Sequence, residues 1–285
     1  MIYKDGQAWL DASHKRVLLF GMSGLGKTYL STMLRGGGDW FHYSIDYRIG
    51  TRYMDEYIAD NAKAHAMKVP FLRELLMSDS IYIGSNITFD NLAPVSTYLG
   101  KPGNPACGGL SYAEYTRRQD QFRRGEIAAL QDTPYFIDRA QALYGYPNFV
   151  CDTGGSICEW VEPTDQNDPI LSMLAQNTLM IWIKGDEAHT SELIRRFDKA
   201  PKPMSYQPQF LDRMWRQFLK QHELTESQVD PDTFIRWIYG QALAHRQPLY
   251  ARMADWGITV SADEVAAITQ PRDFEQLVAR VLDRQ

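Results

Sequence analysis

The sequence predicts an α/β protein built on a parallel β-sheet. Short apolar runs alternate with longer amphipathic segments, which is the pattern of strands joined by crossover helices. One such run, RVLLF at 16–20, leads directly into a glycine-rich stretch, GMSGLGKT at 21–28. A short apolar run that ends at glycine suits a buried parallel strand. We therefore expect a central sheet whose consecutive strands are connected through helices.

The strand and helix segments follow one another in order along the chain. The predicted strands are 16–20, 40–46, 146–152, 177–185 and 255–261. Helices are predicted directly after the glycine-rich stretch, ending at the glycines 36–38, and at 53–66, 111–131, 136–143, 189–197, 209–222, 232–245 and 274–282. Two stretches interrupt this alternation: 67–110, rich in turn residues, and 199–230, which opens with prolines. We expect both to be additions to the core.

Composition argues against several classes of protein. The formal charge is −5 and no basic block occurs, so we expect neither a nucleic-acid-binding nor a membrane-binding surface. No apolar run reaches the roughly 18 residues of a membrane helix, and the first residues lack an apolar leader. The three cysteines, Cys107, Cys151 and Cys158, fit no zinc spacing and are odd in number. These features favour a reducing, cytoplasmic location.

The stretch GMSGLGKT has the spacing of a phosphate-binding loop. Glycines let backbone N–H groups curl around phosphate oxygens, and the dipole of the helix that follows favours an anion. Lys27 would reach the β- and γ-phosphates, and the hydroxyl of Thr28 would face magnesium. The predicted nucleotide-binding residues of this stretch are Gly21, Ser23, Gly24, Gly26, Lys27, Thr28 and Tyr29. The alternative is a glycine-rich turn that binds no ligand.

Acidic residues and glycines follow two other predicted strands. Asp46 ends the second strand, and Asp152 ends the third and precedes Gly154 and Gly155. Ligands of open parallel sheets collect at the carboxyl ends of the strands, so we expect these residues to face the same crevice as Lys27. Asp152 has the position of a magnesium-holding aspartate, which makes Thr28 and Asp152 the predicted metal ligands. Each aspartate has a structural alternative, as a helix cap or a bridge.

Several motifs occur together with the phosphate loop. They are Asp46-x-x-Ile49 after the second strand, Phe122-Arg123 with Glu126 three residues on, Thr153-Gly154-Gly155 after the third strand, RRFDKAPKPM at 195–204, and Arg246-x-Pro248-Leu249-Tyr250 before the last strand. In this order the motifs resemble those of P-loop small-molecule kinases of the shikimate kinase and gluconate kinase group. The phosphate loop is the only one that is specific alone.

The resemblance implies the architecture in more detail. It implies a P-loop NTPase fold, a three-layer αβα sandwich whose five parallel strands lie in the order 2-3-1-4-5. It also implies one domain over 1–285 with an insertion at about 67–110, and a lid and helical addition at about 195–245. ATP and Mg²⁺ would be the cofactors.

The resemblance also implies roles for individual residues. Asp46 would orient or deprotonate the acceptor hydroxyl, and Gly154 and Gly155 would let the acceptor approach the backbone. Arg123 and Arg246 would grip an anionic acceptor. Of the lid arginines, Arg195 would bind nucleotide and Arg196 would meet the transferring phosphate. The implied catalytic set is Lys27, Asp46, Asp152 and Arg196.

The sequence departs from the pattern of that group at two positions. Ser44 replaces an acid often found two residues before Asp46, and Ser156 replaces the third glycine of the turn. With the long insertion, these departures indicate an acceptor other than shikimate or gluconate. The arginines also have structural alternatives: Arg123 as part of a solvated helix face and Arg246 as the partner of an acid.

The resulting functional prediction is ATP-dependent phosphoryl transfer to a small, anionic, hydroxyl-bearing acceptor. Two alternatives use the same phosphate loop. One is a P-loop ATPase that binds a protein partner through the two additions, and the other is a non-catalytic nucleotide-binding switch. The residues do not distinguish ATP from GTP, since no base-reading motif is present.

Overall fold

The computed structural model describes residues 1–284, and its centre is a five-stranded β-sheet. The strands are β1 (Arg16–Phe20), β2 (Trp40–Ser44), β3 (Asn148–Asp152), β4 (Leu179–Lys184) and β5 (Ile258–Ser261). All four pairings are parallel, and the strand order is β2-β3-β1-β4-β5. The predicted α/β fold class and strand order are therefore confirmed.

Helices connect and flank the strands. They are α1 (Gly6–Asp11), α2 (Lys27–Gly36), α3 (Ile45–Arg48), α4 (Asp55–Ala66), α5 (Pro70–Met77), α6 (Ala93–Leu99), α7 (Tyr112–Gln131), α8 (Thr133–Tyr144), α9 (Pro169–Asn177), α10 (Glu187–Lys199), α11 (Pro208–His222), α12 (Pro231–Met253), α13 (Ala262–Ala266) and α14 (Pro271–Leu282). A π-helical turn, Ile49–Met54, joins α3 to α4.

The register of the sheet aligns the carboxyl ends of its central strands. Leu19 of β1 lies opposite Asp152 of β3 on one side and opposite Ile181 of β4 on the other. Ser44 of β2 lies opposite Asp152. Since β1 ends one residue after Leu19, Asp152 ends its strand beside the start of the glycine-rich loop.

The chain divides into two compact units. The first comprises 1–45, 127–201 and the described residues from 236 onward, and it contains the whole sheet. Its core includes Trp9 of α1, which is fully buried and contacts the rings of Trp40 and Phe274. Helix α2 packs on β2 and β3, and α8 packs on the same strands through the stacked rings of Phe136 and Tyr43, 4.6 Å apart.

The second unit comprises 46–126 and 202–235 and is helical. Its packing centres on Trp215, which stacks on Tyr112 at 4.9 Å and meets Phe234 edge-on at 4.8 Å. The stretch 67–110, predicted as an addition rich in turn residues, lies wholly inside this unit and contains α5 and α6, for which no helix was predicted. The interpretation of residues 1–285 as one domain stays a prediction.

Helix α12 is longer than predicted. The predicted segment ended at residue 245, whereas the helix continues through Pro248 to Met253. A proline removes one backbone hydrogen bond of a helix, and here burial offsets this loss. Arg246, Tyr250 and Met253 are 3%, 0% and 0% exposed, so packing holds the helix together beyond the proline.

Candidate active site

The glycine-rich loop turns sharply between β1 and α2. Gly24 and Gly26 have φ angles of +90° and +95°, a left-handed conformation that residues with a side chain rarely adopt. Gly26 is the N-cap residue of α2, and a glycine has no side chain with which to cap the helix. The N-terminus of α2 therefore presents backbone N–H groups and a positive dipole end that an external anion can use.

Lys27 lies inside the curl of this loop. Its side chain is buried, and Nζ donates hydrogen bonds to the carbonyl oxygens of Gly21 at 2.8 Å and Met22 at 3.0 Å. The loop thus folds around its own ammonium group. Phosphate oxygens offer the same type of acceptor with a full negative charge, so they can compete with the two carbonyls for Lys27.

The remaining loop residues divide into anchors and exposed groups. Met22 and Leu25 are 3% and 6% exposed and anchor the loop in the core. Ser23 and Thr28 are exposed, and the ring of Tyr29 is 61% exposed. Ser23 and Thr28 are therefore accessible residues, although their contact with a nucleotide stays a prediction.

Asp152 is a buried acid at the end of the strand beside β1. Its Oδ2 lies 3.7 Å from Nε2 of His42, and both side chains are almost completely buried. The next residue, Thr153, donates from its backbone N and its hydroxyl to the carbonyl of Leu19, which fixes β3 against the end of β1. A carboxylate one strand away from a phosphate loop has the placement that P-loop enzymes use for magnesium.

The glycine turn after β3 contacts the phosphate loop. A Cβ at Gly155 would lie 3.0 Å from Ser23 Oγ and 3.3 Å from Ser23 N. Glycine permits this approach, because a side chain at this position would push the turn and the loop apart. The structure therefore brings the turn and the loop together at Gly155 and Ser23.

Arg246 forms a buried ion pair with Glu159. Its Nε donates to Glu159 Oε1, and the two side chains are 3% and 0% exposed. Although burial lowers the pKa of Arg246, the Glu159 carboxylate raises it, and the net pKa lies above its ordinary value. The guanidinium is therefore charged and has a protein acid as its partner, which is the structural alternative that the sequence left open.

The predicted lid arginines lie on α10. Arg195 and Arg196 both donate to Glu192 of the same helix, at 2.6–2.7 Å, and this pairing lowers the pKa of Glu192 to about 2. Both arginine side chains are exposed. One face of α10 reaches the phosphate loop, since a Cβ at Gly24 would lie 2.6 Å from Leu193 Cδ2.

Asp46 and Arg123 belong to the second unit. Asp46 is half-buried in α3, two residues after β2 ends, and the π-helical turn follows α3. Arg123 lies on α7 with a side chain 35% exposed, and its guanidinium pairs with Asp120 at 2.6 Å. Asp120 also pairs with Arg124 at 3.1 Å. The roles of Asp46 and Arg123 toward an acceptor stay predictions.

Sequence reasoning did not identify Glu159, Glu192, Leu193 or Gln247 as neighbours of the site. For Glu192 a signal was present, because an acid three and four residues before two arginines on a helix predicts ion pairs. For Glu159 no local signal exists, since Arg246 lies 87 residues away in the sequence. Such pairs depend on the fold that brings the two segments together.

Comparisons with known proteins add little to this picture. No model of a known protein family matches the chain, and no curated protein matches it. Among solved structures, the chain is similar to shikimate kinase from Bacteroides thetaiotaomicron, with 16% identity over 95% of this chain and 97% of that one, at a TM-score of 0.38. This TM-score is too low to support the fold assignment, which is based instead on the strand order and the parallel pairings of the sheet.

No helix within residues 1–284 is long and apolar enough to cross a membrane.

Proposed function

We propose that the protein transfers the γ-phosphoryl group of ATP to a small hydroxyl-bearing acceptor. The observation that carries this proposal is the pre-folded phosphate loop, with Lys27 at its centre and the Gly155 turn against Ser23. Within residues 1–284 no disulfide joins the three cysteines, which fits the cytoplasmic location that we propose.

In this proposal the phosphate loop compensates charge on the nucleotide phosphates. On nucleotide binding, Lys27 exchanges the carbonyls of Gly21 and Met22 for phosphate oxygens, while the N–H groups at the start of α2 hold the phosphate chain. Lys27 is only 5% exposed before this exchange. A charge that is already removed from water and fixed in place stabilises the charge that develops during transfer without a further cost of reorganisation.

Thr28 and Asp152 are the residues that we propose to hold a magnesium ion. A hydroxyl and a carboxylate are oxygen donors, which Mg²⁺ prefers, and protein sites for Mg²⁺ commonly combine one or two such groups with substrate phosphates. Among residues 1–284, no group of three or more His, Cys, Asp or Glu side chains forms a metal site. When bound, Mg²⁺ would neutralise charge on the β- and γ-phosphate oxygens, and Thr28 and Asp152 would orient it.

Asp46 is the proposed acid–base group for the acceptor hydroxyl, and Gly154 and Gly155 are the proposed backbone surface for the acceptor. Arg123 is the arginine that we propose to hold an anionic acceptor. Its partly exposed pairing with Asp120 can be exchanged for a substrate carboxylate or phosphate.

The arginines of α10 are proposed to act on the nucleotide. Arg195 and Arg196 would leave Glu192 for the nucleotide phosphates when the lid closes. Because both guanidinium groups are exposed in their pairing with Glu192, the exchange costs little desolvation.

A screen with γ-labelled ATP tests the proposed function. The protein is incubated with Mg²⁺, labelled ATP and separate pools of hydroxy acids, sugar acids, sugar phosphates, neutral sugars and nucleosides. We expect label in one of the anionic pools and a higher acceptor KM, with an unchanged ATP KM, for Arg123→Lys. Label only in inorganic phosphate, at the same rate with and without every pool, would contradict phosphoryl transfer to an acceptor.

One observation favours a second function, ATP hydrolysis together with a protein partner. All 8 residues of helix α5 are at least partly exposed, and Phe71, Met77 and Tyr82 in and beside it are 70%, 70% and 93% exposed. Exposed apolar side chains so close in sequence are typical of interaction surfaces. The same labelling experiment separates the two functions, since hydrolysis releases the label as phosphate without any acceptor.

A further inference from the structure

The last turns of α12 contact both the phosphate loop and the glycine turn. Gln247 Nε2 donates to Met22 Sδ in the loop at 3.1 Å. Tyr250 Oη donates to the carbonyl of Gly155 in the turn at 2.5 Å. The same helix therefore holds two segments that meet at the proposed site of phosphoryl transfer.

Tyr250 is a dependable hydrogen-bond donor. The residue is 0% exposed, and burial raises the pKa of its hydroxyl well above the ordinary value, so the hydroxyl keeps its proton. Its ring also packs near Phe20, the last residue of β1, with 6.3 Å between ring centroids. The ring and the hydroxyl of Tyr250 are therefore both held beside the phosphate loop.

The hydrogen bond from Tyr250 acts on the loop through one backbone group. Gly155, whose carbonyl accepts this bond, is the residue that lies against Ser23. A shift of that carbonyl would move Gly155 relative to Ser23, because closely packed segments transmit displacements to one another. The hydroxyl of Tyr250 is therefore bonded to the residue of the glycine turn that lies against the loop.

The ion pair of Arg246 and Glu159 holds the same helix to the segment that follows the turn. Glu159 ends the short 3₁₀-helix Ile157–Glu159, which begins two residues after Gly155. Both charges are buried, so separating them would leave an unpaired charge away from water. A guanidinium in this situation is poorly suited to bind and release an acceptor at each turnover. The pair is suited to fix α12 in one position.

We propose that Tyr250 is a positioning residue of the phosphoryl-transfer site, and that the Arg246–Glu159 pair anchors the helix that carries it. This inference rests on the proposed function, since the groups being positioned are those of the proposed site. Arg246 then acts through α12 and the glycine turn instead of contacting the acceptor.

The substitution Tyr250→Phe tests this inference, with Tyr239→Phe as the matched control. Tyr239 lies on the same helix, is also buried, and stacks on Phe197 at 3.8 Å. Hydrogen exchange of the peptides covering 21–28 and 153–159 is measured for both variants and the unaltered protein. We expect exchange about 3- to 10-fold faster in both peptides for Tyr250→Phe only, the scale of one lost hydrogen bond. Exchange equal to that of the control variant would overturn the inference.

Kinetics give a second readout through the transfer assay. Tyr250→Phe should lower kcat by about 3- to 10-fold with little change in the KM for ATP, because positioning affects the transition state more than binding. A kcat equal to that of Tyr239→Phe excludes the positioning role. If the unaltered protein neither binds nor transfers phosphate, the proposed function fails, while the exchange comparison still decides whether Tyr250 positions the turn.

Discussion

The phosphate loop and the segment that follows Asp46 are shaped in different ways. The loop forms hydrogen bonds among its own consecutive residues, from Lys27 to the carbonyls of Gly21 and Met22. The segment after Asp46 is held by residues far along the chain. Tyr47 stacks on Phe89 with 4.5 Å between ring centroids. A Cβ at Gly50 would lie 2.9 Å from Val95 Cγ2.

This difference determines which of the two regions can be predicted from the sequence alone. A site made of consecutive residues has a fixed spacing, so GMSGLGKT predicts its own conformation and its ligand class. A site made of distant residues has no such spacing, and its geometry depends on the insertion that packs on it. We therefore expect substitutions in the loop to act on every nucleotide-dependent step, and substitutions at Asp46 to act on the acceptor step alone.

The largest effect is expected for Lys27→Ala. Removing the ammonium should lower ATP turnover by roughly 100- to 1,000-fold, the scale seen when a preorganised charge-stabilising group is lost. Steady-state phosphoryl transfer or phosphate release measures this effect. Lys4→Ala is the control, because the Lys4 side chain is 83% exposed. Equal turnover for the two variants would remove the premise that the loop binds the reacting phosphates.

Asp46→Asn should affect the acceptor step without affecting nucleotide binding at the phosphate loop. The substitution keeps the size of the side chain but removes its charge, so transfer should fall by roughly 100-fold while the Kd for Mg-ADP stays unchanged. Calorimetric titration with Mg-ADP and the transfer assay measure the two quantities. A parallel loss of nucleotide affinity, or only a lower Tm, would make Asp46 a structural residue.

Asp152→Asn should change the metal dependence of the reaction. The amide holds a magnesium ion less well than the carboxylate, so the Mg²⁺ concentration for half-maximal turnover should rise about tenfold. A magnesium titration at saturating ATP measures this rise. An unchanged half-maximal concentration, with lower turnover throughout the titration, would contradict a metal-orienting role.

The smallest effect is expected in the predicted lid. Residues 195–205 contain Arg195, Arg196, Lys199 and Lys202, and an anion beside them lowers the repulsion among these charges. Hydrogen exchange across 195–205 should therefore slow a few-fold when a nonhydrolysable ATP analogue and Mg²⁺ are added. Slowing in other peptides but not in this one would place the lid elsewhere.

Much of the fold of the first unit could be predicted from the sequence. Its strands are short apolar runs, several of which end at glycine or acidic residues, and these local signals located β1 through β5 to within three residues at each end. Helix α9 was missed, although Asp168 caps it and Pro169 begins it, a strong local signal that the prediction did not use.

The second unit and the surroundings of the site were less predictable. The π-helical turn at Ile49–Met54 depends on packing against distant residues, as the close approach of Gly125 to Tyr53 indicates. Helix α12 passes through Pro248, which local rules take as a helix end. The sequence left pairing of Arg246 with an acid open, but spacing rules could not identify Glu159 as that acid, because only the fold brings α12 to the segment after the glycine turn.

A crystal structure with a nonhydrolysable ATP analogue and Mg²⁺ tests the central claim most directly. The decisive measurement is the position of Lys27 Nζ, which now lies 2.8 Å and 3.0 Å from the carbonyls of Gly21 and Met22. We predict that Nζ leaves both carbonyls and lies within hydrogen-bond distance of β- and γ-phosphate oxygens. A nucleotide bound elsewhere, with Lys27 still on the two carbonyls, would contradict the account.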